Sequence, residues 1–530
     1  MVAPSRAWRC SVAVARLAAP DRLLIPARAG PGPADRPTSV SRRVALPSEV
    51  WVVAAITAAG AALRFATIGS QSYWFDEATT AHAVGLSFGG LLHAVRTTES
   101  TPPLYYVLAW IWAKAFGTGE AGLRSLSAVA GTAVIPITYL CARELVSRAA
   151  GYVAAALAAV SPFMIWYSQE ARAYMLFAAL CGLSLLFFAR ARREPSTANI
   201  TWWAIWSALA LLTHFFGGFL VAPEALWLLV ALRSRRVVIA IAVLAVVQVA
   251  VIPVAVNDLS HPLLGWIKQF SLHTRIEQVP IAFGLSTLYQ SSLVINGLLA
   301  AALLAAVCAA LLLIERESNH RRGAAAASVM AGTVLIAPLI FAAAGRDYYI
   351  ARNLIAAWVP LAVVIGAACT SRRTLPVGIP LAAIVLGGFL YAGIYINGQP
   401  QYQRQNLRGI AKALGTGSGE RAIVAYQGEV VAQPLALYLR GLPWNPPTEA
   451  PVKVSEVDVI GSPLQMLARP MPGGTKLIAK KNVDGNLVER FALDPSWYLS
   501  PTVIGERARA LVTPTQPSAY VVVQRQPAPG

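Results

Sequence analysis

The stretch LVINGLLAAALLAAVCAALLLIERESNHRR, residues 293–322, decides the fold class of this chain. Residues 293–314 carry no charged side chain, and Arg316, Arg321 and Arg322 follow closely behind them. A helix needs about 20 predominantly apolar residues to cross the hydrocarbon core of a bilayer. Arginines clustered directly after such a block are typical of a cytoplasmic loop. The stretch therefore predicts a transmembrane helix whose second end lies in the cytoplasm.

Apolar blocks of this kind recur along most of the chain. Of the 530 residues, 56% are hydrophobic and only 13% are charged, which is too few charges to cover a soluble protein of this size. The further blocks lie at approximately 50–68, 103–116, 121–142, 149–168, 173–190, 200–213, 215–232, 237–256, 324–344, 353–370 and 376–396. The pattern predicts a polytopic α-helical protein of the cell membrane, with the lipid bilayer as its main surroundings.

Basic clusters between the blocks predict the orientation of the protein. They lie at 42–43, 143–148, 190–193, 233–236, 316–322 and 372–373. All of these clusters are cytoplasmic only if the block 103–116 does not cross the membrane. That block is too short to span, and its Tyr and Trp residues suit the membrane–water interface. We therefore predict about eleven spans within 48–396, a cytoplasmic N-terminus, an extracytoplasmic first loop at 69–120, and an extracytoplasmic C-terminus.

The two ends of the chain differ from its middle. Residues 1–47 are rich in Arg, Pro and Ala without a helical period, which predicts a disordered basic cytoplasmic tail. Residues 397–530 contain charges of both signs and predict a small extracytoplasmic α/β domain, with a helix at 405–414. Its predicted strands lie at 421–426, 475–480 and 519–524.

The net charge of +19 and the five cysteines exclude several classes of function. The basic residues are spread over loops and form no basic face with interleaved aromatic residues, so we expect no nucleic-acid partner. The cysteines show no CxxC spacing, so neither a disulfide framework nor a structural zinc site is predicted.

An acidic pair follows the first span, in SYWFDEATTAHAV (72–84). Asp76 and Glu77 are flanked by aromatic residues at the expected membrane surface. Because adjacent residues on a helix do not share a face, the two acids should have different roles. Either they are a solvated pair at a helix N-terminus, or one of them is a general base or metal ligand.

Three later corners lie on the same predicted side of the membrane as Asp76. The segment SPFMIWYSQEARAYML (161–176) places Glu170, Arg172 and Tyr174 between two apolar blocks, and His214 follows at the next corner. Arg172 either pairs with Glu170 to close a tight turn or binds an anionic head group through its planar fork. A lone His among aromatic residues is more often a packing residue than a ligand.

The third corner, GRDYYIARN (345–353), carries Arg346, Tyr349 and Arg352. Two arginines beside tyrosines either hold a phosphate and stack a sugar or isoprenoid, or anchor a helix end at the interface. An acid, arginines and aromatic residues gathered at one membrane face suit a reaction on a lipid phosphate.

The order of these motifs resembles the bacterial members of the GT-C glycosyltransferases, and most closely glycosyltransferase family 39. That family includes the dolichyl-phosphate-mannose protein mannosyltransferases and the lipid A aminoarabinose transferase. The resemblance covers roughly residues 50–400. It is carried by WFDEA (74–78), PPLYYVL (102–108), LRSLSAVAGTAVIPITYL (123–140), SPFMIWYSQEARAY (161–174), THFF (213–216) and ARN with WVPL (351–361).

The resemblance implies a GT-C fold, with 48–396 as the catalytic domain, and transfer of a sugar from a polyprenyl-phosphate donor to an extracytoplasmic acceptor with inversion. It implies that Asp76, with Glu77 beside it, is the general base and that the donor side carries Glu170 and Arg172. Thr101 stands before PPL where the protein mannosyltransferases have His, which weakens the case for a protein acceptor. We assign no metal and no cofactor.

Two other classes of function stay open at the level of sequence. A lipid-linked sugar transporter or flippase would need charges along a midplane path, and the apolar blocks contain almost none. A non-catalytic scaffold of envelope assembly would use the C-terminal domain for binding. An enzyme should bring Asp76, Arg172 and Arg346 to one cavity, whereas in a scaffold they should scatter.

Overall fold

The structure is a computed structural model that describes residues 48–99, 101–254, 267, 269–287, 294–417, 420–426, 428–445, 450–462, 474–509 and 519–525. The predicted disordered tail at 1–47 lies outside these residues. Within them, nine helices are long and apolar enough to cross a membrane, and a bent helix pair adds a tenth span if it is counted as one. The predicted fold class, a polytopic helical membrane protein with a small C-terminal α/β domain, is confirmed.

The helices that could span the membrane follow one another along the chain. They are Ser48–Phe65, Glu120–Leu145, the pair Arg148–Val160 and Pro162–Ser168, Tyr174–Arg193, Phe215–Leu232, Arg235–Val254, Ile295–Ile314, Ser318–Ala343, Ala351–Cys369 and Leu375–Gly398. The eleventh predicted span, 200–213, is the helix Thr197–Leu211. It has 15 residues and is therefore about 22 Å long, which is shorter than the hydrocarbon core.

The loop after the first span is itself helical. We label the first span α1, and the loop helices that follow are α2 (Phe75–Gly85), α3 (Phe88–Thr98) and α4 (Leu104–Phe116). The block 103–116, predicted not to span, is thus a 13-residue helix. A further helix, Leu272–Leu285, precedes the span Ile295–Ile314.

The bent pair at 148–168 has an identifiable cause. Pro162 has no N–H, so the carbonyl of Ala158 loses its helical donor and the chain bends by 56°. Buried Arg64, at the end of α1, donates to the carbonyl of Ala158 at 2.7 Å and to that of Ala159 at 3.0 Å. The bend turns the chain into the segment 169–174, which contributes to the site described below.

One end of the bundle gathers two of the predicted cytoplasmic basic clusters. Glu49, in the first turn of α1, accepts Arg143 at 2.7 Å and Arg148 at 3.2 Å. Glu144 accepts Arg193 at 3.3 Å on the same side. These ion pairs show that the clusters at 143–148 and 190–193 share one end of the bundle.

Beyond the last span, a five-stranded sheet has the order β3-β4-β2-β1-β5. The strands are β1 Arg421–Ala425, β2 Val452–Gly461, β3 Thr475–Val483, β4 Asn486–Leu499 and β5 Tyr520–Gln524. β1 and β2 are parallel and the other pairs are antiparallel. The helices of this part are Leu407–Leu414, Glu429–Ala432 and Pro501–Ala508. The strands predicted at 421, 475 and 519 and the helix predicted at 405–414 are confirmed.

Candidate active site

A cavity of about 1720 Å³ lies at one end of the bundle. The ion pairs of Glu49 with Arg143 and Arg148, here called the Glu49 cluster, lie at the other end. Its walls come from the loop helices after α1, from the corners at 163–174, 214–219 and 346–353, and from the C-terminal domain. It brings together seven of the nine residues predicted for the site. These are Asp76, Glu170, Arg172, Tyr174, His214, Arg346 and Arg352. Glu77 and Tyr349 are buried outside the cavity lining.

The adjacent acids of α2 occupy different environments. Asp76 lines the cavity, and its Oδ2 accepts Nη1 of Arg352 at 3.0 Å. Glu77 is fully buried and accepts Nε and Nη2 of Arg124 at 2.7 and 2.6 Å. Its Oε1 also accepts the N–H of Ala171 at 2.8 Å. Burial would raise the pKa of Glu77, but these donors together with Arg404 outweigh burial and hold its pKa below the usual value. Through these contacts Glu77 fixes α2 against the segment 169–172.

Arg172 does not pair with Glu170, so the expectation of a turn closed by that ion pair is wrong. The turn is closed by the backbone, where the N–H of Arg172 donates to the carbonyl of Glu170 at 2.8 Å. The guanidinium reaches back to the first loop, where Nη1 lies 2.9 Å from Oε1 of Glu99 and 3.1 Å from the hydroxyl of Thr80. Burial raises the pKa of Glu99, and Arg172 opposes that shift. Arg172 thus lines the cavity with its charge already matched by a carboxylate.

Glu170 is paired instead with a residue of the C-terminal domain. Its Oε2 accepts Nη2 of Arg404 at 3.0 Å, and the Arg404 guanidinium lies 4.2 Å from the ring centroid of Trp166. The other oxygen, Oε1, is buried without a hydrogen-bond partner among the described residues. Burial raises the pKa of Glu170, although Arg404 opposes the shift. The segment after the last span therefore contributes a cation to the cavity.

Aromatic rings surround the Asp76–Arg352 pair. The Arg352 guanidinium lies 5.6 Å from the Trp74 ring and 5.7 Å from the Tyr174 ring. His214 is buried, and burial, followed by Arg172 and Arg352, lowers its pKa to about 3. His214 is therefore neutral at pH 7, and its Nδ1 accepts the N–H of Phe216 at 3.2 Å.

A chain of ring contacts leads from this pair to Phe341. Ring centroids of Tyr174 and His214 are 6.1 Å apart, and those of His214 and Phe216 are 5.6 Å apart. Phe219 lies 5.1 Å from Phe216 and 5.4 Å from Phe341. Phe341 is 53% exposed. The rings form a continuous apolar strip, here called the aromatic path, from the charged centre to the outside of the bundle.

Arg346 lies in the cavity beside the end of this path. It is exposed, and no carboxylate within the described residues forms an ion pair with it. Arg275, by contrast, is held by Asp347, with Nη1 to Oδ1 at 2.7 Å, and by the carbonyl of Tyr349 at 2.9 Å. Tyr349 thus acts through its backbone, and its side chain is 4% exposed. Among the described residues, Arg346 is therefore a cavity cation that has no carboxylate partner.

Sequence reasoning missed Glu99 and Arg404, which are central to the charge arrangement. Glu99 stands in ESTPP, where it looks like a solvated loop residue, and Arg404 stands in a polar stretch after the last span. No group of three or more His, Cys, Asp or Glu side chains suited to a metal ion occurs among the residues the structure describes.

Comparison with known proteins gives one partial family match and several similar structures. Residues 100–257 match the family model of the dolichyl-phosphate-mannose-protein mannosyltransferases. No curated protein sequence gives a significant match. The structure of ArnT from Cupriavidus metallidurans bound to undecaprenyl phosphate shares 14% identity, over 84% of this chain and 98% of that chain, with a TM-score of 0.48.

Two further structures are similar over much of the chain. The archaeal oligosaccharyltransferase AglB from Archaeoglobus fulgidus shares 15% identity, over 70% of this chain and 58% of that one, with a TM-score of 0.42. The mycobacterial arabinofuranosyltransferase AftD shares 15% identity, over 84% of this chain and 40% of that one, with a TM-score of 0.43. Because these likenesses are low, no residue role is taken from them.

The helical bundle and the cavity at one of its ends define a multi-pass membrane protein, and residues 100–257 are similar to a family of glycosyltransferases.

Proposed function

We propose that this protein transfers a sugar from a polyprenyl-phosphate donor to a hydroxyl group of an acceptor outside the cytoplasm, with inversion at the anomeric carbon. The observation that carries the proposal is the convergence of Asp76, Arg172 and Arg346 on one cavity. A scaffold protein gives no reason for an acid and two arginines from three distant segments to line the same space.

The cavity offers each part of such a donor a matching surface. The polyprenyl chain lies along the aromatic path, which begins at the lipid-facing Phe341. The phosphate meets Arg346, whose charge no carboxylate among the described residues matches. A planar guanidinium suits phosphate oxygens because it donates two parallel hydrogen bonds. The sugar then lies close to Asp76, between the Trp74 and Tyr174 rings.

The chemistry is a single displacement at the anomeric carbon. The acceptor oxygen forms a bond to that carbon from the face opposite the phosphate, and the carbon–oxygen bond to the phosphate breaks. The electron pair of that bond leaves with the polyprenyl phosphate, where Arg346 and Arg352 stabilise the negative charge. Asp76 takes the proton of the attacking hydroxyl. Its ion pair with Arg352 orients its carboxylate.

The protein in lipid nanodiscs, supplied with bacterial envelope extract and a panel of radiolabelled polyprenyl-phosphate sugars, tests this proposal. We expect label to move from one donor to an acceptor, and the rate to fall by roughly 10²- to 10⁴-fold in Asp76→Asn. Asp484→Asn is the matched control, because Asp484 is exposed in the C-terminal domain and outside the cavity lining.

The melting temperature of Asp76→Asn should stay close to that of the wild type. Absence of transfer from every donor in the panel would contradict the proposed function. Wild-type transfer by Asp76→Asn would exclude Asp76 as the base.

A further inference from the structure

The cavity has a second wall that the donor does not use. It follows one face of α2 beyond Asp76, one face of α3, and a short part of the C-terminal domain. We call it the polar wall, and its defining residues are Thr79, His82, His93, Thr97, Gln433 and Trp444. The donor, placed along the aromatic path and beside Arg346, leaves the polar wall available to a second substrate.

The polar wall is lined by polar side chains that are neither acidic nor strongly basic. Of the cavity-lining residues described between Thr79 and Thr98, and between Val430 and Asn445, none is Asp, Glu, Lys or Arg. Burial lowers the pKa of His82, which disfavours the charged form of its ring. Hydroxyl, imidazole and amide groups therefore provide hydrogen bonds there without attracting either sign of charge.

An aromatic platform stands on this wall. The rings of His82 and Trp444 are stacked with their centroids 4.3 Å apart and their planes within 2°. Trp444 is half-buried and comes from the C-terminal domain, where its carbonyl accepts the side-chain amide of Gln433 at 3.4 Å. A flat indole packs well against the C–H face of a sugar ring, while the neighbouring polar groups bind its hydroxyls.

The polar wall is built from helix faces, and this favours a glycan over an extended peptide as its ligand. An extended peptide binds best to a free sheet edge, whose N–H and C=O groups pair with its backbone. The backbone groups of α2 and α3 are used within the helices. From Asp76 to the end of α2 the wall runs about 14 Å at 1.5 Å per residue, long enough for a few linked sugar rings.

We infer that the polar wall binds a neutral glycan chain as the acceptor, with the His82–Trp444 stack as the platform for one of its sugar rings. This inference rests on the proposed function, since it names the acceptor class of the same site. It gives the C-terminal domain a direct part in acceptor recognition.

Glycan binding without any donor tests the inference separately from catalysis. Wild-type protein in nanodiscs is titrated into fluorescein-labelled α-1,6-mannotetraose and α-1,5-arabinotetraose as neutral probes. Labelled tetragalacturonate is the anionic probe, and a labelled Ser/Thr-rich octapeptide is the peptide probe. We expect measurable binding of at least one neutral probe, and weaker binding of the other two kinds.

Four variants locate the binding. Trp444→Ala should weaken binding of the neutral probe about tenfold, while Trp444→Phe and His82→Gln should weaken it less, because the first keeps an aromatic ring at position 444 and the second keeps the indole. Trp497→Ala is the matched control, since Trp497 is half-buried in the same domain and outside the cavity lining. It should bind like the wild type. Trp444→Phe keeps the test valid if Trp444→Ala does not fold.

Tighter binding of the anionic probe or the peptide would overturn the inference, and so would wild-type affinity in both Trp444→Ala and His82→Gln. The two proposals fail separately. Intact glycan binding without transfer from any donor contradicts the proposed function, whereas transfer with unchanged acceptor affinity in the Trp444 variants contradicts only the inference about the wall.

Discussion

At the scale of single residues, Asp76 and Glu77 are adjacent in α2 but have different roles, the first in the proposed reaction and the second in stabilising the fold. Asp76 faces the cavity with 19% of its side chain exposed, and Glu77 faces Arg124 with none exposed. The carboxylate facing the cavity can exchange a proton with a substrate. The buried one is held by two arginines and a backbone N–H, so its loss affects the fold first.

Glu77→Gln should therefore lower stability more than it lowers the chemical rate of the folded fraction. Removing one partner of a buried ion pair costs about 3–5 kcal/mol, because the other charge stays buried without compensation. The melting temperature in detergent measures the effect, with Glu194→Gln as the control, since Glu194 is exposed at the other end of the bundle. An unchanged melting temperature in Glu77→Gln would contradict the supporting role.

Substitutions of Arg346 and Arg172 should likewise have different effects, the first on donor binding and the second on stability. Arg346→Gln removes a cation without a carboxylate partner among the described residues, so the Michaelis constant for the donor should rise. The expected loss in free energy of donor binding is about 1–3 kcal/mol, and the melting temperature should change little. Arg172→Lys keeps the charge but loses the geometry that holds Glu99 and Thr80, so its melting temperature should fall. Donor titrations and thermal melts on both variants check this. An unchanged donor constant in Arg346→Gln would place the phosphate elsewhere.

At the scale of secondary structure elements, the sheet of the C-terminal domain buries a cluster of four charges. Glu456 and Asp458 lie on one face of β2, opposite Arg421 of β1 and Arg490 of β4. Asp458 accepts Nη1 of Arg421 at 2.9 Å, and Glu456 accepts Nη2 of Arg490 at 2.6 Å. Burial, and then the neighbouring Glu456, raises the pKa of Asp458 to about 8 despite the two arginines.

This cluster predicts a pH dependence for the sheet. Because the folded pKa of Asp458 lies above its unfolded value of about 4, the folded domain keeps a proton that the unfolded chain releases. The stability of the sheet should then fall as pH rises from about 4 to about 8, and level off above that range. Hydrogen exchange of the β1 amides at pH 6, 7 and 8, corrected for intrinsic rates, measures the slope. Asp458→Asn should flatten it, and an equal slope in Asp458→Asn and in the control Asp484→Asn would exclude Asp458 as the cause.

Apolar length and alternation predicted most elements of the fold. Two strands and two residues of the site were missed, each for a physical reason. β2 was missed because Glu456 and Asp458 interrupt its apolar alternation, and only the facing arginines make their burial acceptable. β4 was missed because it contains Asp494 and Pro495, which read as a turn. In the site, motif order indicated Asp76, Arg172 and Arg352, whereas Glu99 and Arg404 depend on contacts between distant segments that no local pattern shows.

At the scale of the whole molecule, the two ends of the bundle should lie in different compartments. Reporter fusions at 145, 193, 234, 319 and 372 should report the cytoplasm, and fusions at 348 and 450 the outside. The Glu49 cluster and the cavity lie at opposite ends, which supports this arrangement. A fusion at 118 tests α4, and a cytoplasmic signal there would mean that the short helix crosses the membrane.

The contact between Glu170 and Arg404 has a consequence for the order of events during synthesis. Arg404 is made 234 residues after Glu170, a delay of roughly 10–50 s at 5–20 residues per second. Until Arg404 emerges from the ribosome, Glu170 lacks its cation and Trp444 does not yet exist. A ribosome-bound chain therefore contains every residue of the aromatic path before the lining of the cavity is complete, and we expect the cavity to form in full only late in translation.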